Sequence, residues 1–170
     1  MVFKRSYILI VLSFVCISCS TGEKTTFRQD CPSITQNEFL NHPVSAPLNL
    51  KDFRMEYGEQ FKLKKFRRNL DEDKRTVDTI YQYIKGNNAF VFYAAENSGE
   101  ESFLTLKIAD NQIELENCLH IGMERSRLEE LLSDFPEKAG DTVKIDNGER
   151  QGVFIFSKDQ LEKVHINNYY

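Results

Sequence analysis

A chain of 170 residues with a formal net charge of −4 suits one domain, and its mild acidity makes it a poor general binder of polyanions. It carries 13 Phe and 7 Tyr, no Trp and 4 Pro, an aromatic content that excludes a disordered polar chain and favours a packed, β-rich globule.

Lys4 and Arg5 place positive charge at the start, and Tyr7 to Ile17 follow as an apolar run broken by Ser13. The run is too short to span a bilayer, which takes about 20 residues. It suits the core of a secretory signal, so residues 1–18 read as a signal peptide and stand outside the fold. Their removal leaves 152 residues and, with Lys4 and Arg5 gone, a charge of −6. Cys16 and Cys19 have the C-x-x-C spacing of redox dithiols and zinc knuckles, but they lie in and beside the leader, away from any βαβ pattern. "CISC" (16–19) resembles the lipobox of Gram-negative bacterial envelope lipoproteins, with Ser18 as the small residue before the lipidated cysteine. The resemblance implies lipid attachment at Cys19 and a membrane held through that N-terminal lipid. It also implies residence in the cell envelope, as an outer-membrane lipoprotein facing the periplasm or the cell surface. Cleavage after Ser20, releasing a soluble exported domain, is the alternative reading.

Residues 19–33 are polar and read as a flexible tether, leaving 34–170 as a single domain. "SITQNEFLNHP" (33–43) suits a short helix stopped before Pro43. "FRMEYGEQFKLKKF" (53–66) reads as two strand-like runs around Gly58. Gly86-Asn87-Asn88 between β-prone runs marks a hairpin, and "ENSGEES" (96–102) is the next turn. Leu104, Leu106 and Ile108 alternate on one face of a strand, followed by a turn at Asp110-Asn111 and a further strand toward His120. Leu128, Leu131, Leu132 and Phe135 then recur at helical spacing, predicting an amphipathic helix over about 123–135 that ends before Pro136. Asn147-Gly148 and Lys158-Asp159 mark two more hairpin turns among the strands of 142–170. "KIADNQIEL" (107–115) echoes "IFSKDQLEK" (155–163), as a duplicated hairpin would, or as unrelated hairpins do. The expected fold is α+β, an antiparallel meander with the 123–135 helix packed on one face.

"IGMERSRLEELLSDFP" (121–136), followed by "VFIFSKDQLEKVHI" (153–166), is similar to the small module of SmpA/OmlA-type outer-membrane lipoproteins and β-lactamase-inhibitor-protein-like domains. The matching residues are Gly122, Met123, Leu128, Leu132 and Pro136, over about the last third of the chain. The resemblance implies a domain that acts by protein–protein contact and brings no catalytic residues with it.

Few constellations carry chemistry. Cys31 and Cys118 remain in the mature chain, where export favours a disulfide closing a loop of 87 residues, against two buried free thiols. Cys118 and His120, with Cys31 and His42 or His165, lack the paired spacing of a zinc site, and no metal is assigned. Nucleophile-elbow, phosphate-loop, dinucleotide and EF-hand signatures are absent from the sequence, so no catalytic residue and no cofactor are assigned. Phe61, Lys62, Lys64, Lys65, Phe66, Arg67 and Arg68 form a basic cluster interleaved with aromatics, a candidate interaction surface or a strand edge protected by charge. The expected function is that of a non-catalytic interaction or scaffold module with an unidentified envelope protein as partner and no nucleic acid. A binder of a small apolar ligand or glycan, using a Phe/Tyr-lined concavity, is the alternative.

Overall fold

The computed structural model describes residues 31–69, 77–136 and 140–169, so the leader, Cys19 and most of the tether lie outside the described residues. The chain begins with β1 (Ile34–Thr35), α1 (Gln36–Asn41), α2 (Leu50–Glu56) and a 3₁₀ turn at Gly58–Gln60. Four strands follow, β2 (Lys62–Asn69), β3 (Val77–Lys85), β4 (Asn88–Ala95) and β5 (Glu101–Ile108). After an irregular segment come α3 (Arg125–Leu131), β6 (Leu132–Ser133), β7 (Thr142–Asp146), β8 (Arg150–Ser157) and β9 (Gln160–Asn168). Seven strands make one sheet in the order β2-β3-β4-β5-β9-β8-β7, every neighbouring pair antiparallel. β1 and β6 form a separate parallel pair, with Ile34 opposite Leu132.

Burial alternates along the strands. In β4, Asn88, Phe90 and Phe92 are buried; in β8, Gly152, Phe154 and Phe156. One face of the sheet is therefore the core, with Leu106, Ile108, Val143, Ile145, Val164 and Ile166 on it, and the other is half-exposed. Two short helices help close the inner face. A capping box starts α1: Thr35 Oγ1 accepts from the Glu38 N–H at 3.1 Å, and Glu38 Oε2 accepts from the Thr35 N–H at 2.7 Å. Its Phe39 and Leu40 enter the core. Leu40 seats against Gly152, where an added Cβ would stand 2.9 Å from Leu40 Cδ2 and 2.8 Å from Ile145 Cγ1. Arg150 closes the other end of α1 by donating from Nη1 to the carbonyls of Leu40 at 2.8 Å and Asn41 at 3.0 Å.

α2 replaces the strand expected over 53–57. Asn49 Oδ1 accepts from the Asp52 N–H at 2.9 Å and caps a turn whose Leu50 and Phe53 are buried. α1 falls within the short helix expected over 33–43, and α2 adds a third helix among the described residues. The expected helix over 123–135 is only Arg125–Leu131, because Leu132 and Ser133 turn extended to pair with β1. Leu104 does not share the face of Leu106 and Ile108: the register slips between Val91 and Phe92, and Phe103 takes the inward position. β5 is followed by β9, not by a new strand, so the sheet is two meanders joined side by side.

The strand expected after Asp110 is irregular backbone instead. Asn88, fully buried, accepts at Oδ1 from the N–H groups of Ala109 at 2.8 Å and Asp110 at 3.1 Å. Asp110 Oδ2 accepts from the Asn87 N–H at 2.8 Å, and a side chain on Gly86 (φ 60°) would collide with Asp110 and Gln112. Leu115, Leu119 and Met123 then drop into the core from irregular backbone, which turns through positive φ at Asn117 and Cys118. The segments 107–115 and 155–163 therefore fold differently, one as strand and coil, the other as the β8–β9 hairpin.

Phe53 is the hub of the aromatic core. Its ring centroid lies 4.6 Å from Phe90, 5.0 Å from Tyr83, 5.2 Å from Phe92 and 5.3 Å from Phe61. Phe53→Ala should destabilise the fold by about 3–5 kcal/mol, read from the denaturant midpoint at unchanged slope. Phe66→Ala, at a position 52% exposed, should shift it by less than about 0.5 kcal/mol.

Candidate interaction surface

β2 is an edge strand. It pairs with β3 along its full length, from Lys62 opposite Ile84 to Asn69 opposite Val77, with no bulge, and nothing pairs its outer side among the described residues. Every residue from Lys62 to Arg67 is exposed, on both faces. The opposite edge strand, β7, is shorter, with five residues, and its Val143 and Ile145 side chains face the core.

The expected cluster divides across this strand. Lys62, Lys64 and Phe66 are register partners of Ile84, Gln82 and Ile80 and lie on the outer face. Lys65 and Arg67, opposite Tyr81 and Thr79, lie on the helix side. Phe61 does not belong to the exposed group. It is half-buried, tilted against Phe53 and edge-on to Phe90 at 5.7 Å, with Lys85 Nζ 5.6 Å from its ring centroid. The side chain of Arg68 and the whole of Cys19 lie outside the described residues.

Arg54 joins this surface from α2, although sequence separation hides it. Its guanidinium carbon lies 4.9 Å from the centre of the Tyr81 ring, and Lys65 Nζ lies 5.5 Å from the same centre. Arg54 Nε also donates to Tyr83 Oη at 3.4 Å. The helix side of the edge is thus a pair of cations held on tyrosine.

Cys31 and Cys118 are joined as a disulfide with Cα atoms 6.3 Å apart. The bridge fastens the start of the described chain to the irregular segment, where Asn117 and Cys118 have positive φ. His120 therefore does not share a strand face with Cys118, and its Nδ1 lies 3.1 Å from the carbonyl of Cys118. A cleft of about 670 Å³ opens beside the bridge. Leu115, Leu119, Met123 and Leu131 floor it, and Glu114, His120 and Arg127 stand around it. None of its lining residues is Phe or Tyr; Tyr57, Phe61 and Phe90 line a separate, smaller cavity of about 140 Å³.

His165 sits in β9 on the outer face, between Lys107 of β5 and Val153 of β8. Its Nε2 is buried without a hydrogen-bond partner. Burial holds the imidazole below the ordinary histidine value, and the charges of Lys107 and Lys163 add to the effect.

No family model matches the chain, and no solved structure matches it. A curated protein described as a probable heat shock transcription factor, from Vairimorpha ceranae (strain BRL01), is 21% identical over 159 residues. The match covers 91% of this chain and 60% of that protein, so the chain spans less than two thirds of the relative's length. At that identity the likeness defines neither family nor activity.

The neutral His165 makes a signed prediction. Its folded value lies below the ordinary 6.5, so the unfolded chain binds the extra proton first as pH falls. Stability from this group is intact above the ordinary value, declines below it, and levels off beneath the folded value. Unfolding midpoints against pH should show that loss in the parent and lack it in His165→Gln. An imidazole titrating at or above the ordinary value by NMR contradicts the assignment.

Proposed function

We propose that the protein is a lipid-anchored envelope lipoprotein, held through acyl groups on Cys19, that acts as a non-catalytic module contacting another envelope protein. The observation that carries the contact is β2: eight residues of edge without Pro or bulge, with Lys62, Lys64, Lys65 and Arg67 exposed. Edges of this length are templates for strand addition, and natural proteins guard them with charge. Two such edges brought together would oppose lysine to lysine, so a second copy is a poor partner. An extended segment with acidic residues is a good one. The leader and the "CISC" sequence support the anchor.

A second reading has its own support. The cleft beside the disulfide, with an aliphatic floor and a charged rim, has the size of a small-ligand site. It suits an aliphatic ligand with polar ends better than a glycan, which stacks on aromatic faces.

Cys19→Ser should move the protein from the membrane to the soluble exported fraction; a variant that stays in the membrane contradicts the anchor. A photo-crosslinking residue at position 66 should give one discrete adduct that Lys64→Glu with Arg67→Glu abolishes. Equal adducts from positions 66 and 158, the latter in the exposed β8–β9 turn, contradict the edge as the contact.

A further inference from the structure

The outer face of the sheet carries a charge pattern invisible in the chain's net charge. Lys62 of β2 pairs in register with Ile84 of β3, which pairs with Ala89 of β4. Ala89 leads to Lys107 of β5, and Lys107 to His165 of β9. His165 leads to Val153 of β8, and Val153 to Lys144 of β7. One row therefore crosses all seven strands, about 29 Å at the usual strand spacing, with a lysine at each end and one in the middle. The neighbouring row runs from Lys64 through Gln82, Val91, Thr105, Asn167 and Gln151 to exposed Asp146 at the β7 end.

Lys62, Lys64, Lys107 and Lys144 are exposed, and none has an ion-pair partner among the described residues. Two carboxylates share the face with the four lysines: exposed Asp146 on β7, and buried Asp78, whose Oδ1 has no hydrogen-bond partner among the described residues. Asp146 accepts from the Tyr169 hydroxyl and, at 2.7 Å, from the Gly148 N–H. Glu162 pairs with Lys163 at 2.7 Å, and Asp78 is 4% exposed. Between the lysines stand half-exposed Ile80, Ile84, Val91 and Val153. Among the described residues nothing covers this face, and it carries more cations than carboxylates beside its aliphatic side chains, on a chain whose formal charge is −4.

We propose that this outer sheet face lies against an anionic lipid surface, its four free lysines meeting headgroup phosphates and its aliphatic side chains entering the interface between them. Three features select a bilayer over other polyanions. The cations are spread across the whole width of the sheet, which matches an extended surface better than one peptide. They are all lysines, point charges with long apolar stems, whereas nucleic-acid sites favour the bidentate fork of arginine. The aliphatic residues among them gain from an acyl boundary and gain nothing from a sugar-phosphate backbone. The proposal needs neither the acyl group on Cys19 nor a partner at β2, since Lys107 and Lys144 lie on other strands.

The test uses the full chain with Cys19→Ala, so that no acyl group can form, and phosphatidylcholine vesicles with and without phosphatidylglycerol. The readout is the ratio of partitioning between the two, in which the leader contributes equally for every variant. Lys107→Gln with Lys144→Gln should lower the ratio by about thirtyfold at low salt, about fivefold for each lysine, with an unchanged circular dichroism spectrum. Lys51→Gln with Lys158→Gln removes the same charge from exposed sites in α2 and the β8–β9 turn and should leave the ratio within about twofold, since surface attraction fades within a Debye length. Equal losses in both pairs, or no loss in either, overturn the proposal. So does a loss of binding to polyglutamate or duplex DNA in the Lys107/Lys144 variant while vesicle binding persists, which would make the occupant an acidic protein or a nucleic acid.

Discussion

Phe53 enters the inner face of the sheet from a helix of seven residues and meets the rings of Tyr83, Phe90 and Phe92 there. Such a helix has little stability of its own. What holds it is the burial of Leu50 and Phe53, and what allows the sheet to bury one face at all is the cover that α1, α2 and the irregular segment supply. The same dependence recurs at α1, whose Phe39 packs 5.6 Å from Phe154 and whose Leu40 needs the open space at Gly152. Short helices and a one-sided sheet stabilise each other, and neither is independent of the other.

Among the described residues that arrangement leaves the outer face and the β2 edge without cover. The inner face is finished by helices and by the segment tied to Cys31. Lysines on both uncovered surfaces keep such a molecule from pairing with itself while leaving it attractive to something acidic. The functional reading follows from the fold in this sense: the parts that carry charge are the parts that the core does not use.

The hairpins were legible because their signals are local. Gly86-Asn87-Asn88, Asn147-Gly148 and Lys158-Asp159 each mark a turn through Gly, Asn or Asp, which tolerate positive φ, and each turn stands where it was expected. What was not legible depends on contacts distant in sequence. Asn88 looks like the end of a turn until its side chain is seen to hold Ala109 and Asp110. Leu132 continues a helical stripe until β1 competes for its backbone. Phe61 reads as part of the basic cluster because alternation with lysine does not reveal that Phe53 is waiting for it. α2 did have a local signal, the Asn49-x-x-Asp52 cap, outweighed by aromatic residues that favour strands. Lys107, His165 and Lys144 share a row only through strand order, and the β5–β9 pairing has no trace in local pattern.

The central claim is that, among the described residues, the sheet is covered on one face while the long β2 edge is left unpaired. Amide hydrogen exchange of the isolated protein tests this strand by strand. Amides of β4, β5, β8 and β9 should exchange slowly, while alternate amides of β2, those directed away from β3, exchange at nearly the rate of unstructured chain. Uniform protection along β2 matching that of β4 would contradict the account, because it would mean that the edge is already occupied.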